Sequence, residues 1–236
     1  MSHHKKGNSK KIYIAVTLLV IVCVVTAAVV YAATQPPAAK PATSGVSVGD
    51  TFTYSIKGAY ELFDENVATP DSIYPGFTNL NNTLSYTVKV TAVNGTLISL
   101  DVNQRFVNGT EFPRQQTIDL SNGLKSDANG FFQLYCANLN LNDKVRPNGA
   151  DGVIVNSTST KGYQDSTRAL NEITIENEFF NTLDQTHSTY MDDYRSISFD
   201  RQTGMLVSFV DYIQYNNPSM TLVITYTLID SSAWPV

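Results

Sequence analysis

Residues 83–109 read TLSYTVKVTAVNGTLISLDVNQRFVNG. Leu84, Tyr86, Val88, Val90 and Ala92 fall on one face, and Thr83, Ser85, Thr87, Lys89 and Thr91 on the other. A repeat of two is the signature of a half-buried strand. Asn94-Gly95 breaks the run, Ile98, Leu100, Val102 and Phe106 resume it, and Asn108-Gly109 breaks it again. Asn-Gly between alternating runs predicts a type I′ hairpin, because both central residues of that turn take positive φ.

The same pattern extends in both directions. Upstream, Phe52, Tyr54, Ile56, Gly58, Tyr60 and Leu62 share one face of a strand some twelve residues long. Downstream, Thr110 to Leu120 forms a fourth run, in which Pro113 marks an edge or a bulge. Further strands are expected at 153–155, 168–180, 194–199, 205–215 and 220–228, with Met220, Leu222, Ile224, Tyr226 and Leu228 on one face of the last. Asp200 to Gly204 reads as a hairpin loop with Gly204 left-handed. Phe131 to Leu139 reads as one short helix. Residues 64–82 form a long loop within the first hairpin, held by Ile73, Tyr74 and Phe77, either a flap over one end or a surface excursion. The expected fold is all-β, an antiparallel meander of about eight or nine strands. Such a sheet cannot cover its own apolar face. It curls into a half-barrel or barrel-like sheet, or splits into a β-sandwich.

Ahead of this domain lie three short regions. Residues 1–11 are a basic tail with Lys5, Lys6, Lys10 and Lys11. Residues 12–33, IYIAVTLLVIVCVVTAAVVYAA, carry no charge and suffice at about 1.5 Å per residue to span a bilayer core. The lysines place the tail in the cytoplasm and the rest outside, with 12–33 as a signal anchor. The alternatives are a cleaved signal peptide, which makes the product secreted, and a pilin-like leader ending at Gly7. Residues 34–45, TQPPAAKPATSG, form a Pro/Ala/Thr-rich linker. Residues 46–236 are the extracytoplasmic β domain.

That domain has 11 Lys/Arg against 21 Asp/Glu, a net charge of −10, which excludes nucleic acid as a partner. Ser, Thr and Asn supply 65 of the 236 residues, so neutral hydrogen-bonding groups carry the polar surface. Only Cys23 and Cys136 are present, too few for a disulfide scaffold or a cysteine zinc site. Apolar neighbours predict burial of Cys136. His187 is the lone histidine after the membrane run, so neither a Ser-His-Asp triad nor a histidine metal site has its parts. Asp192, Asp193, Glu176 and Glu178 would line a calcium site only if their strands converge, and separate solvated faces are the simpler reading. No catalytic, cofactor or metal residue is assigned, and the protein is read as a non-enzyme. Four Asn-X-Ser/Thr sequons, at Asn81, Asn94, Asn108 and Asn156, are candidate N-glycosylation sites.

Five short motifs recur together: Val48-Gly49-Asp50-x-Phe52-x-Tyr54, the Asn-Gly hairpins, Leu141-Asn142-Asp143, Arg168-Ala-Leu-Asn171 and Asp200-x-x-Thr203-Gly204-x-Leu206-Val207. In this combination the chain resembles exported, membrane-anchored β-domains of archaea, with Asn142 where a Gly more usually precedes the Asp. The meander also resembles half-barrel lipoprotein carriers, whose curled sheet holds acyl chains. That resemblance implies a binding module for a lipid, peptide or glycan. The competing readings are a structural or adhesive surface protein and a glycan-active enzyme using two carboxylates about 5–10 Å apart.

Overall fold

Strand alternation with short polar turns produces, in the computed structural model, a single open sheet. The structure describes residues 40–63, 70–127, 131–163, 166–180 and 190–236, together with Val24 and Thr26. The chain divides into two units, Met1–Ala38 and Ala39–Val236. The expected membrane segment 12–33 lies outside the described residues apart from Val24 and Thr26, which are helical. Among the described residues no helix is long and apolar enough to cross a membrane.

The second unit contains nine antiparallel strands: β1 (Thr51–Leu62), β2 (Thr83–Asn94), β3 (Leu97–Phe106), β4 (Glu111–Asp119), β5 (Ser157–Gly162), β6 (Thr167–Phe180), β7 (Tyr190–Asp200), β8 (Leu206–Asn216) and β9 (Ser219–Ser231). Two short helices, α1 (Pro70–Ile73) and α2 (Phe77–Asn81), interrupt the β1–β2 connection. The spatial order is β4-β3-β2-β1-β9-β8-β7-β6-β5. Two local meanders therefore meet at a β1–β9 seam, and β4 and β5, consecutive in sequence, become the two unpaired edges. Pro113 lies on the edge strand β4, where a missing N–H costs no ladder bond.

One face of the sheet is predominantly apolar. Phe52, Tyr54, Ile56, Val88, Ile98, Leu100, Ile173, Phe199, Leu222 and Ile224 are all buried. The segment from Leu120 to Asn156, which joins the two edges, crosses this face and covers it. The expected helix at 131–139 is instead irregular, extended chain. The Tyr135 N–H donates to the Gly204 carbonyl (2.9 Å), the Leu206 N–H to the Gln133 carbonyl (2.9 Å) and the Ala137 N–H to the Thr43 carbonyl (2.8 Å). Phe131 seats its ring against Tyr54, Tyr86 and Tyr226, with centroids 5.3, 5.2 and 4.0 Å away. A helix would have left these sheet backbone and aromatic partners unmatched, so tertiary contacts override the helical spacing of Phe131, Leu134 and Tyr135.

Other departures are local. The expected strand at 153–155 is only an isolated bridge, Lys144 to Ile154. β5, sequence STSTKG, carries no apolar alternation because it is an exposed edge. In the β2–β3 turn Asn94 pairs with Leu97, so Gly95-Thr96 are the central residues. Gly95 alone is left-handed (φ 62°), which is a type II′ arrangement rather than I′. The β3–β4 turn puts Gly109 at φ 84° after Val107-Asn108, with the Gly109 N–H on the Phe106 carbonyl. Register shifts at Thr83/Ser85 and Val90/Ala92 turn Thr83 inward and leave Leu84 exposed, opposite to simple alternation.

The motifs quoted above turn out to be joints of the framework. Asp200 is 1% exposed and accepts from the Thr203 N–H (2.7 Å), the Thr203 hydroxyl (2.8 Å) and both Arg168 Nε (2.8 Å) and Nη2 (2.7 Å). Gly204, at φ 81°, is left-handed as expected, and a Cβ there would meet the Tyr135 carbonyl oxygen at 2.1 Å. The Asn171 amide donates to the Leu139 carbonyl (3.2 Å). Asn142 takes φ 68°, the left-handed geometry that Gly or Asn tolerates best. Cys136 is buried, and burial pushes its thiol up to about 11.

Asp200→Ala leaves Arg168 without its carboxylate and releases the loop. It is expected to lower the free energy of unfolding by about 3 kcal/mol, measured by urea denaturation. Cys136 is expected to resist iodoacetamide at pH 8 in the native chain and to react fully in urea, read by mass spectrometry. Rapid native alkylation would show that the covering segment does not stay closed.

Candidate functional site

The cover does not reach across the whole apolar face. Beside it lies an open cleft of about 1160 Å³. Its floor is Ile56 of β1 and Ile224 and Tyr226 of β9. Phe106, Phe112 and Arg114 wall it from the β3–β4 side, and Ile173, Ile175, Ile197 and Phe209 from the β6–β8 side. Strands from both halves of the sheet thus line one space. Phe131, Phe132 and Tyr135 of the cover close its inner end.

The rim opposite the cover is built from the β1–β2 connection, where Tyr74, Gly76, Asn79 and Leu80 line the cleft. Residues 64–69 of that loop lie outside the described residues. The remainder is pinned rather than detached. Asn81 holds the Gly58 backbone from both sides, accepting from its N–H (2.9 Å) and donating to its carbonyl (2.8 Å). Phe77 packs so closely on Gly58 that a Cβ there would lie 2.8 Å from its ring. Tyr60 and Tyr74 meet Phe77 edge-on at 5.9 and 6.4 Å.

Charged groups enter the cleft from inward-facing strand positions. Arg195 of β7 and Asp211 of β8 are cross-strand partners. Arg195 Nη2 lies 2.6 Å from Asp193 Oδ2 and Nε lies 3.3 Å from Asp211 Oδ1. Asp193 is 1% and Asp211 6% exposed, and Arg195 joins the two carboxyls. Burial, first, and then the hydrogen bond from Asp193 push Asp211 up to about 7, against the opposing pull of Arg195. Asp211 therefore retains a proton well above the ordinary carboxylate range. On the opposite wall Arg114 Nη2 reaches the Tyr86 hydroxyl (3.4 Å), which also accepts from Gln133 Nε2 (2.9 Å). Arg146 pairs with Asp151 and stacks over the Phe132 ring at 4.4 Å.

Sequence reasoning missed Arg114, Arg195 and Asp211 as site residues, and weighed Asp193 only for calcium. A signal was present: Asp193 and Arg195 share the phase of Ile197 and Phe199, Asp211 that of Phe209 and Ile213, and Arg114 that of Ile118. A charge at an in-facing position of a strand is a departure from pattern that needs a reason. The four acids weighed for calcium divide between faces. Glu178 stands opposite Asp192 in the ladder, whereas Asp193 turns inward to Arg195. Among the described residues no group of three metal-ligating side chains comes together. His187 lies outside the described residues.

All four sequon asparagines are exposed. Asn94 flanks the β2–β3 turn. Asn108 and Asn156 use Oδ1 to accept from the Thr110 and Thr174 N–H groups. Asn81 already commits its Nδ2, the atom a glycan would take, to the Gly58 carbonyl. No protein-family model matches the chain, and no curated protein is significantly similar to it.

The raised Asp211 pKa has a definite sign. The folded state binds a proton that the unfolded state releases near its ordinary value of 3.8. Its contribution is full below that value and is lost as pH rises through about 7. The wild-type urea midpoint should therefore fall between about pH 4 and 8 relative to Asp211→Asn, which keeps the shape and has no proton to lose. Parallel pH profiles for the two proteins would refute the buried protonated carboxyl.

Proposed function

We propose that residues 46–236 form a binding module, a half-barrel-like sheet that holds an apolar molecule in its cleft. Residues 12–33 anchor it in a membrane, with the domain outside the cytoplasm. The observation that carries this reading is the cleft of about 1160 Å³ lined from both halves of the sheet. Ligand sites commonly occupy about 300–1,000 Å³ and are mostly apolar, with few placed polar groups. These walls are more mixed: aliphatic and aromatic side chains alternate with polar groups that include Gln104, Arg114, Arg146, Arg195 and Asp211. An open sheet also supports it, since unpaired β4 and β5 edges leave the interior accessible where a closed barrel of this size would be filled.

The enzyme reading receives less support. Glycan hydrolysis by paired carboxylates uses separations of about 5–9.5 Å. Asp193 and Asp211 are both engaged by Arg195, at 2.6 and 3.3 Å, so neither carboxylate is free to act on a substrate. The adhesive reading has the two exposed sheet edges in its favour and no further feature.

The test uses the full-length chain in phosphatidylcholine nanodiscs, titrated calorimetrically with octanol against empty nanodiscs. Saturable binding is expected. Ile175→Trp, at a half-buried position in the wall, should weaken it at least tenfold, whereas Ile229→Trp on an exposed surface should not change it. Absence of octanol binding to the wild type, or equal binding to the Ile175 variant, would overturn the proposal.

A further inference from the structure

The cleft charges do not balance one to one. Arg146 is matched by Asp151. Arg195 is matched by the Asp193–Asp211 pair, which is one negative charge when it holds its proton. Arg114 has no carboxylate in ion-pair range among the described residues. Its Nε is buried with no hydrogen-bond partner. Asp127 is engaged by Lys125 at 3.8 Å and by Gln116 Nε2 at 2.7 Å. Lys125 adds a second positive charge close enough to Arg114 to be lowered by it, after burial. A guanidinium at an apolar wall with an orphaned N–H is costly unless something else meets it.

Donors converge at this point. Arg114 lies over the Phe112 ring, 5.5 Å from its centroid. The Tyr86 hydroxyl accepts from Gln133 and from Arg114. An incoming anion would receive the Arg114 Nε–H and the Tyr86 O–H together, charge-assisted bonds in a water-poor setting. From there the apolar floor of Ile56 and Ile224 runs toward Ile173, Ile197 and Phe209.

We propose that the cleft takes a single-chain anionic amphiphile, its carboxylate or phosphate-monoester head on Arg114 and Tyr86 and its chain along the sheet floor. This rests on the binding-module reading and names its ligand class.

The experiment compares octanoate, octyl phosphate, octanol, octyltrimethylammonium and inorganic phosphate on the full-length chain in the same nanodiscs. Octanoate or octyl phosphate should bind at least tenfold more tightly than octanol. Arg114→Gln should abolish that preference, and Arg105→Gln, in an exposed pair with Glu111, should preserve both the preference and the octanol affinity. A cooperative urea transition with the wild-type midpoint shows that the Arg114 variant is folded. The proposal is overturned if octanol or octyltrimethylammonium binds as well as the anions, if the Arg114 variant keeps the preference, or if inorganic phosphate competes as well as octyl phosphate. Failure of every amphiphile including octanol overturns the binding module itself, whereas octanol binding without an anion preference overturns only the head-group assignment.

Discussion

The contact between Phe131 and the three tyrosines beneath it is the constraint on which the rest of the domain depends. An open sheet with one apolar face is unstable in water until something covers that face. Here the cover cannot come from a second sheet or a long helix, because the chain between β4 and β5 contains neither. It comes from an irregular segment that has to satisfy its own backbone groups while lying on aromatic side chains. The bonds from Tyr135 and Leu206 to their partners across the gap meet that requirement. Gly204 lets the two backbones approach, and the Arg168–Asp200 pair holds the loop that carries Gly204. The motifs that looked like a family signature are thus the fastenings of one lid-like strap.

How far the sequence could be read follows from the same fact. β9 is fully legible because it is central and both of its neighbours are long, so its five alternating apolar residues all bury. β1 is legible in its extent but only partly in its facing. Phe52, Tyr54 and Ile56 bury, while Tyr60 and Leu62 run past the core toward the helical connection and stay exposed. β5 is silent, since an exposed edge needs no apolar residues. The segment at 131–139 is misleading because a strap buried on several sides shows apolar residues at helical spacing without being a helix. The asparagine at 94 misplaces the turn by one residue, as only pairing with Leu97 determines which two residues are central.

That a curled sheet leaves an interior space was legible, but the polar groups that line it were not, for a different reason. The cleft is made by residues far apart in sequence whose only shared property is facing inward near the end of the cover. Asp193, Arg195 and Asp211 resemble ordinary solvated positions until ladder register brings them together. Their arrangement has a physical logic, since two buried carboxyls beside one guanidinium are tolerable only with a proton on one of them. That polar node and the Arg114 wall face one another across an apolar floor.

The seam between β1 and β9 brings the first and last strands of the domain together, with Phe52 opposite Ser231. Every other ladder joins strands adjacent in sequence, so the two meanders can each zip up locally as hairpins. The central pairing must then close a loop of nearly the entire domain, the slowest kind of step for a chain to search. Until it does, the interior edges of both halves are bare, and the nascent domain is two sticky ribbons awaiting a join.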